Sequence, residues 1–240
     1  MIRIVAKSFD NKLLKKVVFL GGSVVSFLLT DKDAPPVRAT NDVDVIVGIE
    51  KLTDYYKLGD HLKKLSFTQS IDNANICRWK INGIIVDIMP VSENVLGFSN
   101  KWYKPALKKA TPFKIDEELQ INLISSVYFI ATKLEAFNAR GNDYQLSNDL
   151  EDIIYVINSR PELITEIKNS NNKLKQYFRS NFKNFMKNAD VLEAIKGFFK
   201  PDTESQKRYN LIITRLNDII EIPLFPKKIV VLKNNLKFNI

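Results

Sequence analysis

Two aspartates separated by one residue stand at the start of an apolar run, in the order Asp42-Val43-Asp44-Val45. A short β-branched run of this kind favours a buried strand. Since side chains alternate along a strand, Asp42 and Asp44 should share one face, roughly 7 Å apart at their Cβ atoms, while the valines face the core. Two carboxylates so close repel each other unless a cation lies between them. Oxygen ligands suit Mg²⁺ or Mn²⁺, so the pair predicts a clamp for a divalent metal ion.

A glycine turn precedes the acid pair in the chain. Gly21-Gly22-Ser23 separates two apolar runs, of which Val17–Leu20 is predicted to be a strand and Val24–Leu29 the start of a helix. Glycines let the backbone approach a ligand closely, and the free N–H groups at a helix start attract anions. Ser23 is predicted to be the helix N-cap or a hydroxyl that contacts a phosphate. Taken alone, Gly-Gly-Ser is also an ordinary turn, and Asp-x-Asp an ordinary solvated edge or cap.

A third carboxylate lies inside a predicted β-hairpin. Its strands are predicted over 76–81 and 84–91, and the Asn-Gly pair between them favours a type I′ turn. Asp87 falls within the second, apolar strand, where an unpaired buried carboxylate is costly. It is therefore expected at the end of the sheet or beside a charged partner, for which Arg78 and Lys80 across the hairpin are the alternatives.

Two predicted helices bring further charged residues. The first spans 119–140 and is predicted to end at Gly141, as a C-cap glycine would. The second is predicted to begin at Ser147 or Asn148. The charged residues of interest are Lys133 and Arg140 on the first helix and Asp149 and Asp152 on the second. Acids in a first helical turn are also favourable for the dipole alone, and a lysine can equally extend to solvent.

These motifs together resemble the nucleotidyltransferase fold of the DNA polymerase beta superfamily. Its signature is a strand, a Gly-Ser turn, a helix, and a strand that carries Asp-x-Asp. The combination of Gly21-Gly22-Ser23 with Arg38-x-Thr40-x-Asp42-x-Asp44 is similar to the AbiEii-type nucleotidyltransferases, which include the MenT toxins. That branch also has a helix Lys-x-x-Ala-x-x-x-Arg before Asp-x-x-Asp, here Lys133–Arg140 and Asp149–Asp152. The resemblance covers about residues 15–158.

The resemblance implies a role for each matching residue. Metal ions would be held by Asp42, Asp44 and a third carboxylate on a later strand, for which Asp87 is the fitting position. Lys133 would complete the catalytic set by adding positive charge beside the phosphates. The implied nucleotide-binding residues are Gly21, Gly22, Ser23, Lys133 and Asp149, the last of which would hold the lysine in place. Family members more often have lysine before that aspartate, and Asn148 departs from this pattern.

Length and composition set the expected architecture. A chain of 240 residues, 45% hydrophobic and 26% charged, can bury a sizeable core. The expected fold is α+β (α/β), a nucleotidyltransferase-type mixed sheet with flanking helices followed by a mostly helical half. The expected domains are a catalytic domain over 1–118 and a helical domain over 119–240, with the cleft between them. Predicted helices in the second half span 162–168, 173–187, 191–199 and 204–219, with an edge strand at 229–232.

Cysteine content and hydropathy bear on location. A single cysteine, Cys77, excludes an intrachain disulfide and suits a reducing cytoplasm, which is the expected location. The apolar stretch Val17–Leu29 is interrupted by the glycine turn and is too short to span a membrane as a helix, so neither a signal peptide nor a membrane partner is expected.

The net charge of +9 favours a polyanionic partner, although a lysine-rich composition alone can produce it. The predicted loop 92–118 places Trp102 and Tyr103 among lysines, as an RNA-stacking surface or an ordinary solvated strand would. The candidate RNA-contacting lysines are Lys101, Lys104, Lys108, Lys109, Lys173, Lys175 and Lys183.

Several acceptors and partners stay open at this point. The resemblance implies an NTP as co-substrate and the 3′ end of tRNA as acceptor, in a toxin of a type IV-like toxin–antitoxin system with an antitoxin protein as partner. Protein and aminoglycoside-like small molecules are alternative acceptors. A different class of function is a catalytically weak module of the same fold that binds RNA or an antitoxin.

Overall fold

The computed structural model describes residues 1–69, 76–140, 143–200 and 202–224. Within these residues, seven strands form one mixed sheet. The strands are β1 Val17–Leu20, β2 Asp42–Val47, β3 Thr68–Gln69, β4 Arg78–Ile81, β5 Ile84–Pro90, β6 Thr111–Lys114 and β7 Gln120–Leu123. Their order across the sheet is β3-β4-β5-β2-β1-β7-β6, which puts β2 at its centre.

Helices flank the sheet and make up most of the second half of the described chain. In the first half they are α1 Ile2–Ser8, α2 Asn11–Leu14, α3 Val25–Leu28, α4 Leu52–Lys64, α5 Glu93–Leu96 and α6 Tyr103–Lys108. In the second half they are α7 Ser126–Arg140, α8 Asn148–Ser159, α9 Leu163–Lys168, α10 Asn172–Lys187, α11 Ala189–Gly197 and α12 Thr203–Glu221. The expected α+β class, with a mixed sheet and a mostly helical second half, is confirmed.

The central strands form as their apolar pattern predicts. All four residues of β1 are buried, and on β2 Val43 and Val45 are fully buried while Asp42 and Asp44 stay partly exposed on the opposite face. The alternation of side chains along β2 is therefore confirmed, and it keeps both carboxylates out of the core.

The register of the sheet lines up one row of residues across four strands. β1 and β2 are antiparallel and pair Leu20 with Asp44. β2 and β5 are parallel and pair Asp44 with Asp87. β5 and β4 are antiparallel and pair Asp87 with Arg78. Because paired residues in neighbouring strands project to the same face, this row brings two acids and an arginine side by side.

The β4–β5 hairpin has the predicted turn. Asn82 and Gly83 connect the strands with φ angles of 49° and 77°, the two positive values that a type I′ turn requires.

Two predictions about the middle of the chain are wrong. Residues 92–118 are not a loop, since they contain α5, α6 and β6. The prolines account for this error: Pro105 lies in the first turn of α6, where its missing N–H costs nothing, and Pro112 lies on the edge strand β6. The predicted helix over 119–140 is a strand followed by a helix, because Ile121 and Leu123 are buried at a period of two before α7 begins.

The helices of the second half match their predictions. Ser147 caps α8, its hydroxyl accepting a hydrogen bond from the backbone N–H of Leu150 at 3.2 Å. The four predicted helices after residue 160 correspond to α9–α12. The C-cap at Gly141 and the strand at 229–232 lie outside the described residues, and the division into two domains stays a prediction.

Among the described helices, none combines the length and the apolar character that crossing a bilayer requires.

Candidate active site

The glycine turn lies directly against the acid pair. Gly21 has a φ of 77°, in the left-handed region that favours glycine, and a Cβ atom on it would lie 1.8 Å from Oδ2 of Asp44. Gly22 is enclosed on another side, where a Cβ atom would lie 2.9 Å from Nη2 of Arg38 and 3.4 Å from Oδ2 of Asp152. The turn therefore has no room for side chains at its glycines, and it touches β2, the Arg38 loop and α8 at once.

The hydroxyl of Ser23 does not cap the helix. Ser23 lies inside the 3-10 turn Gly22–Val24 rather than before it, and neither this turn nor α3 begins with a side-chain cap. The N-cap interpretation is therefore wrong. The Oγ atom is buried and has no hydrogen-bond partner among the described residues. An unpartnered buried hydroxyl is costly, and a ligand oxygen at this turn would remove that cost.

Asp42 and Asp44 are carboxylates that the chain itself does not neutralise. Within the described part of the chain, neither forms an ion pair or a side-chain hydrogen bond. Burial raises the pKa of Asp44 to about 7, the negative charges of Asp42 and Asp87 add to this, and Lys133 opposes it. A proton or a metal cation at this face relieves the repulsion.

Asp87 has the charged partner that its sequence context predicted, and it also lies beside the acid pair. It lies beside Asp44 in the sheet register, as a third carboxylate would. It is also paired across the hairpin, where Nε of Arg78 donates to Oδ1 at 2.9 Å and Nη2 donates to Oδ2 at 2.6 Å. This hydrogen-bonded contact raises the pKa of Arg78. Asp87 is therefore neutralised within the chain, whereas Asp42 and Asp44 are not.

Lys133 on α7 is buried between two acids of α8. Its Nζ lies 3.0 Å from Oδ1 of Asp149 and 2.7 Å from Oδ2 of Asp152. Burial alone would lower the pKa of Lys133, but the charges of Asp152 and Asp149 raise it above its ordinary value. The side chain is only 13% exposed, so the alternative of a lysine extended into solvent is wrong. Asp149 does hold Lys133 in place, and Asp152 shares this role.

Two arginines complete this charge cluster. Nη1 of Arg140 donates to Oδ2 of Asp149 at 2.7 Å. Nη2 of Arg38 lies 3.3 Å from Oδ2 of Asp152, and its Nε lies 3.3 Å from Oε2 of Glu151. The cluster links the glycine turn to α7 and α8, because Arg38 and Asp152 are also the groups that enclose Gly22.

Tyr103 lies near the acid pair, a placement that the sequence did not predict. Burial raises the pKa of its hydroxyl, and the negative charge of Asp44 adds to this effect. The first residue of α6 thus lies close enough to the acid pair to sense its charge. No local signal could have revealed this, because the lysine-rich and aromatic segment around Tyr103 favours a loop.

The donor atoms fit a divalent cation only in part. In the segments that the structure describes, no group of three or more His, Cys, Asp or Glu side chains is arranged to hold a metal ion. Asp42 and Asp44 offer oxygen donors of the type that Mg²⁺ or Mn²⁺ prefers, and the raised pKa of Asp44 marks uncompensated negative charge there. The residues present therefore fit a two-carboxylate clamp, with Asp87 held by Arg78.

One of the two aromatic residues of the predicted RNA surface is buried. Trp102 is 3% exposed, so it cannot stack on a base. Lys175 is wrong as an RNA-contacting residue, since it is 2% exposed. Lys101 pairs with Glu135 at 2.6 Å and Lys104 with Glu50 at 2.7 Å. The candidate lysines that stay exposed without an ion pair to a described residue are Lys108, Lys109, Lys173 and Lys183.

Comparison with known proteins finds similar solved structures, among them three at low identity. An antigenic nucleotidyltransferase-like protein from Paracoccidioides brasiliensis has a TM-score of 0.48 and 20% identity, over 81% of this chain and 89% of its own. JHP933 from Helicobacter pylori has a TM-score of 0.48 and 11% identity, over 91% and 88%. A putative nucleotidyltransferase from H. pylori has a TM-score of 0.48 and 12% identity, over 91% of both chains. No family model and no curated protein matches the chain.

Proposed function

We propose that the chain is a nucleotidyltransferase that moves a nucleoside monophosphate from an NTP to an acceptor hydroxyl. The observation that carries this proposal is the contact between Gly21 and Asp44, where a Cβ atom would lie 1.8 Å from the carboxylate. The glycine turn, which is suited to bind an anion, is in direct contact there with the unneutralised acid pair. Nucleotidyl transfer needs this arrangement, because the triphosphate and its divalent cation must meet.

Each side chain of the site has a role in this proposal. The backbone N–H groups around Gly22 and the unpartnered hydroxyl of Ser23 bind triphosphate oxygens. Asp42 and Asp44 hold Mg²⁺ or Mn²⁺, which supplies Lewis-acid stabilisation of charge on the phosphoryl oxygens. Lys133, fixed by its two aspartates, contributes positive potential beside the phosphates. The acceptor hydroxyl releases its proton to solvent and its oxygen forms a bond to the α-phosphorus, while the bond from the α-phosphorus to the β-phosphate oxygen breaks and pyrophosphate leaves.

For the acceptor we propose RNA, with the 3′ end of tRNA as the preferred hydroxyl. The support is the net charge of +9 together with the resemblance of the glycine and Asp-x-Asp motifs to AbiEii-type nucleotidyltransferases. From the same resemblance we further propose that the chain is the toxin of a type IV-like toxin–antitoxin system, with an antitoxin protein as its partner.

The experiment is to incubate the protein with Mg²⁺ and each α-labelled NTP in turn, with and without total tRNA. We expect label on tRNA from at least one NTP, and none from the Asp44→Asn variant. Asp60→Asn is the matched control, because Asp60 is an exposed acid of α4 and its loss should leave labelling unchanged. Label on the protein itself, or on an aminoglycoside supplied in place of tRNA, would show that the acceptor is not tRNA. No label with any NTP and any of these acceptors would overturn the enzymatic proposal.

A second candidate is a module of the same fold that binds RNA or an antitoxin without turnover. The observation that favours it is the pairing of Asp87 with Arg78, which removes one of three implied metal ligands. It predicts tRNA binding that is unaffected by Asp44→Asn and by removal of Mg²⁺, together with no labelling in the experiment above.

A further inference from the structure

A cavity of about 920 Å³ lies beside the sheet and shares no residue with the candidate active site. Along β2, Asp42 and Asp44 stand at the start of the strand, whereas the cavity is lined by Val47 and Gly48 at its end. Helices α2, α4 and α6 and strand β7 form the other walls. Its volume falls within the range typical of small-molecule sites, roughly 300–1,000 Å³.

The floor of this cavity is apolar. Leu13, Val18, Val47 and Leu58 line it and are buried, and Leu107 of α6 adds a partly buried aliphatic side chain. A surface of this kind gains free energy when it is covered by an apolar body, such as a planar ring.

The rim of the cavity is basic. Lys12, Lys15, Lys16 and Lys57 all line it and are exposed. Lys57 pairs with Asp54 at 3.1 Å, but no described acid forms an ion pair with the other three. Three unneutralised ammonium groups around one opening select an anion, and a phosphate can accept hydrogen bonds from several of them.

Asp10, the acid nearest in sequence to this rim, already has two hydrogen-bond partners. Asp10 accepts a hydrogen bond from the backbone N–H of Leu13 at 2.7 Å and lies 2.7 Å from Nε2 of His61. These contacts lower the pKa of Asp10, the backbone hydrogen bond having the largest effect. Asp10 therefore stays ionised, but its carboxylate contacts His61 and the start of α2 rather than the lysines. The positive charge of the lysines is not neutralised by Asp10.

One polar group in the cavity has a fixed orientation. The side-chain Nδ2 of Asn122 donates to the backbone oxygens of Lys15 and Val17, both at 3.2 Å. These two contacts fix the amide, and its Oδ1 accepts no hydrogen bond from a described residue. The cavity therefore presents a preset acceptor for an N–H donor.

We propose that this cavity binds a nucleoside phosphate. The phosphate lies among Lys12, Lys15 and Lys16, the base covers the apolar floor, and an amino group of the base donates to Oδ1 of Asn122. An aliphatic anion would leave that amide oxygen unpaired, and inorganic phosphate would leave the floor exposed. The ligand is either a free nucleotide or one nucleotide of an RNA strand. The inference stands independently of nucleotidyl transfer.

The test is a titration of the full-length protein in EDTA at low salt, read by calorimetry and by hydrogen exchange. The probes are AMP, ribose 5-phosphate and a single-stranded tetraadenylate. We expect AMP or the oligonucleotide to bind and to protect segments 12–18 and 47–61. Binding by AMP identifies a free nucleotide as a ligand, and binding by the oligonucleotide alone identifies RNA. Equal affinity for ribose 5-phosphate, or protection confined to 21–44, would overturn the proposal.

Matched variants distinguish binding in this cavity from non-specific attraction of the probe to a positively charged protein. The triple variant Lys12→Ala, Lys15→Ala and Lys16→Ala should bind the probe on the order of tenfold more weakly, equivalent to losing one charge-assisted hydrogen bond. The triple variant Lys64→Ala, Lys80→Ala and Lys114→Ala has the same net charge, changes exposed lysines outside the cavity, and should bind like the parent. Equal weakening in both triple variants contradicts the inference. Asp44→Asn should bind the probe normally, so failure of the transferase proposal and failure of this one are distinguishable.

Discussion

Arg78 and Asp87 form a two-point ion pair across the β4–β5 hairpin, directly beside Asp44 in the row that crosses the sheet. The pair divides the three carboxylates into one that Arg78 neutralises and two, Asp42 and Asp44, that have no ion-pair partner among the described residues. This division is specific enough to be tested through metal affinity.

Replacing Arg78 by alanine should increase affinity for Mn²⁺, because Asp87 then becomes a third free carboxylate beside Asp44. We expect a gain of about tenfold, measured by calorimetric titration or by the electron paramagnetic resonance of free Mn²⁺. Asp87→Asn should change the affinity of the parent little, since Arg78 already occupies that carboxylate. A large loss of Mn²⁺ binding in Asp87→Asn would show instead that Asp87 is a metal ligand in the parent.

Gly21→Ala should displace the carboxylate of Asp44, in addition to straining the backbone at residue 21. The new Cβ atom meets the carboxylate of Asp44, and the residue must also keep a φ of 77°. Gly97→Ala is a control for a positive φ without a contact, because Gly97 has the same φ of 77° and nothing within 4 Å of an added Cβ. Its ψ is −5° whereas that of Gly21 is −172°, so Mn²⁺ affinity rather than stability separates the contact with Asp44 from backbone strain. We expect the control to lose about 1 kcal/mol of stability and no Mn²⁺ affinity. Gly21→Ala should lose most Mn²⁺ affinity as well as more stability; an Mn²⁺ affinity equal to that of the control contradicts the proximity of Gly21 to Asp44.

Lys133→Ala should destabilise the protein as well as reduce transfer. The sequence alone predicts a nearly unchanged melting temperature, which the burial of Lys133 between Asp149 and Asp152 makes untenable. In this variant Arg140 still pairs with Asp149 and Arg38 still pairs with Asp152. The expected loss in free energy of unfolding is therefore about 2 kcal/mol, which is smaller than the cost of an isolated buried charge. Urea unfolding measures it.

The control for this variant is Lys104→Ala. Lys104 also forms a close ion pair, with Glu50 at 2.7 Å, but both side chains are more than half exposed. Its loss should cost less than about 1 kcal/mol. Similar losses in the two variants would mean that the Lys133 cluster contributes no more than a surface ion pair.

The stability of the metal-free protein should fall as the pH rises from about 4 to about 7. The pKa of Asp44 is raised from 3.8 to about 7 in the folded state, so the folded state binds more protons than the unfolded state across this interval. Asp44→Asn removes this dependence and should be more stable than the parent at pH 8 in EDTA, but not at pH 4. Unfolding in urea at both pH values measures the difference. If the stability of the parent rises over this pH interval and the variant is not more stable at pH 8, the predicted direction of the pH dependence is wrong.

RNA affinity should fall steeply with salt if the acceptor is RNA. The exposed lysines without an acid partner give the sharper test, so Lys108→Ala, Lys109→Ala and Lys183→Ala are combined. We expect the slope of log affinity against log salt to decrease by about one for each phosphate that the variant no longer neutralises. The measurement is tRNA binding by fluorescence anisotropy across a salt series. A flat dependence in the parent would remove RNA as the acceptor.

Local patterns were enough to predict the parts of the site that depend on one segment. The glycine turn, the shared face of Asp42 and Asp44 and the type I′ hairpin all follow from neighbouring residues and their period. The choice of Arg78 over Lys80 as the partner of Asp87, and the position of Asp87 beside Asp44, did not follow, because only the sheet register shows which residues of the neighbouring strands lie opposite Asp87.

Prolines and a short strand account for the remaining errors of prediction. Pro105 favours a loop by its residue type, although the first turn of a helix accepts proline, and Gln120–Leu123 is too short to distinguish from the helix that follows it. The closeness of Tyr103 to Asp44 depends on the docking of α6 on the sheet, which no spacing in the sequence encodes.

The location of Lys133 and Asp152 has a consequence for synthesis of the chain on the ribosome. The glycine turn, Arg38 and the acid pair are translated within the first 44 residues, whereas Lys133 and Asp152, which complete the charge cluster beside the turn, are translated about 90 to 110 residues later. Strand β7, which pairs with β1 at Phe19 and Leu123, is similarly late. Such long-range contacts form slowly and only after both partners have emerged. A nascent chain therefore carries Asp42 and Asp44 well before the charge cluster can form, and a chain that terminates before α8 lacks Asp149 and Asp152.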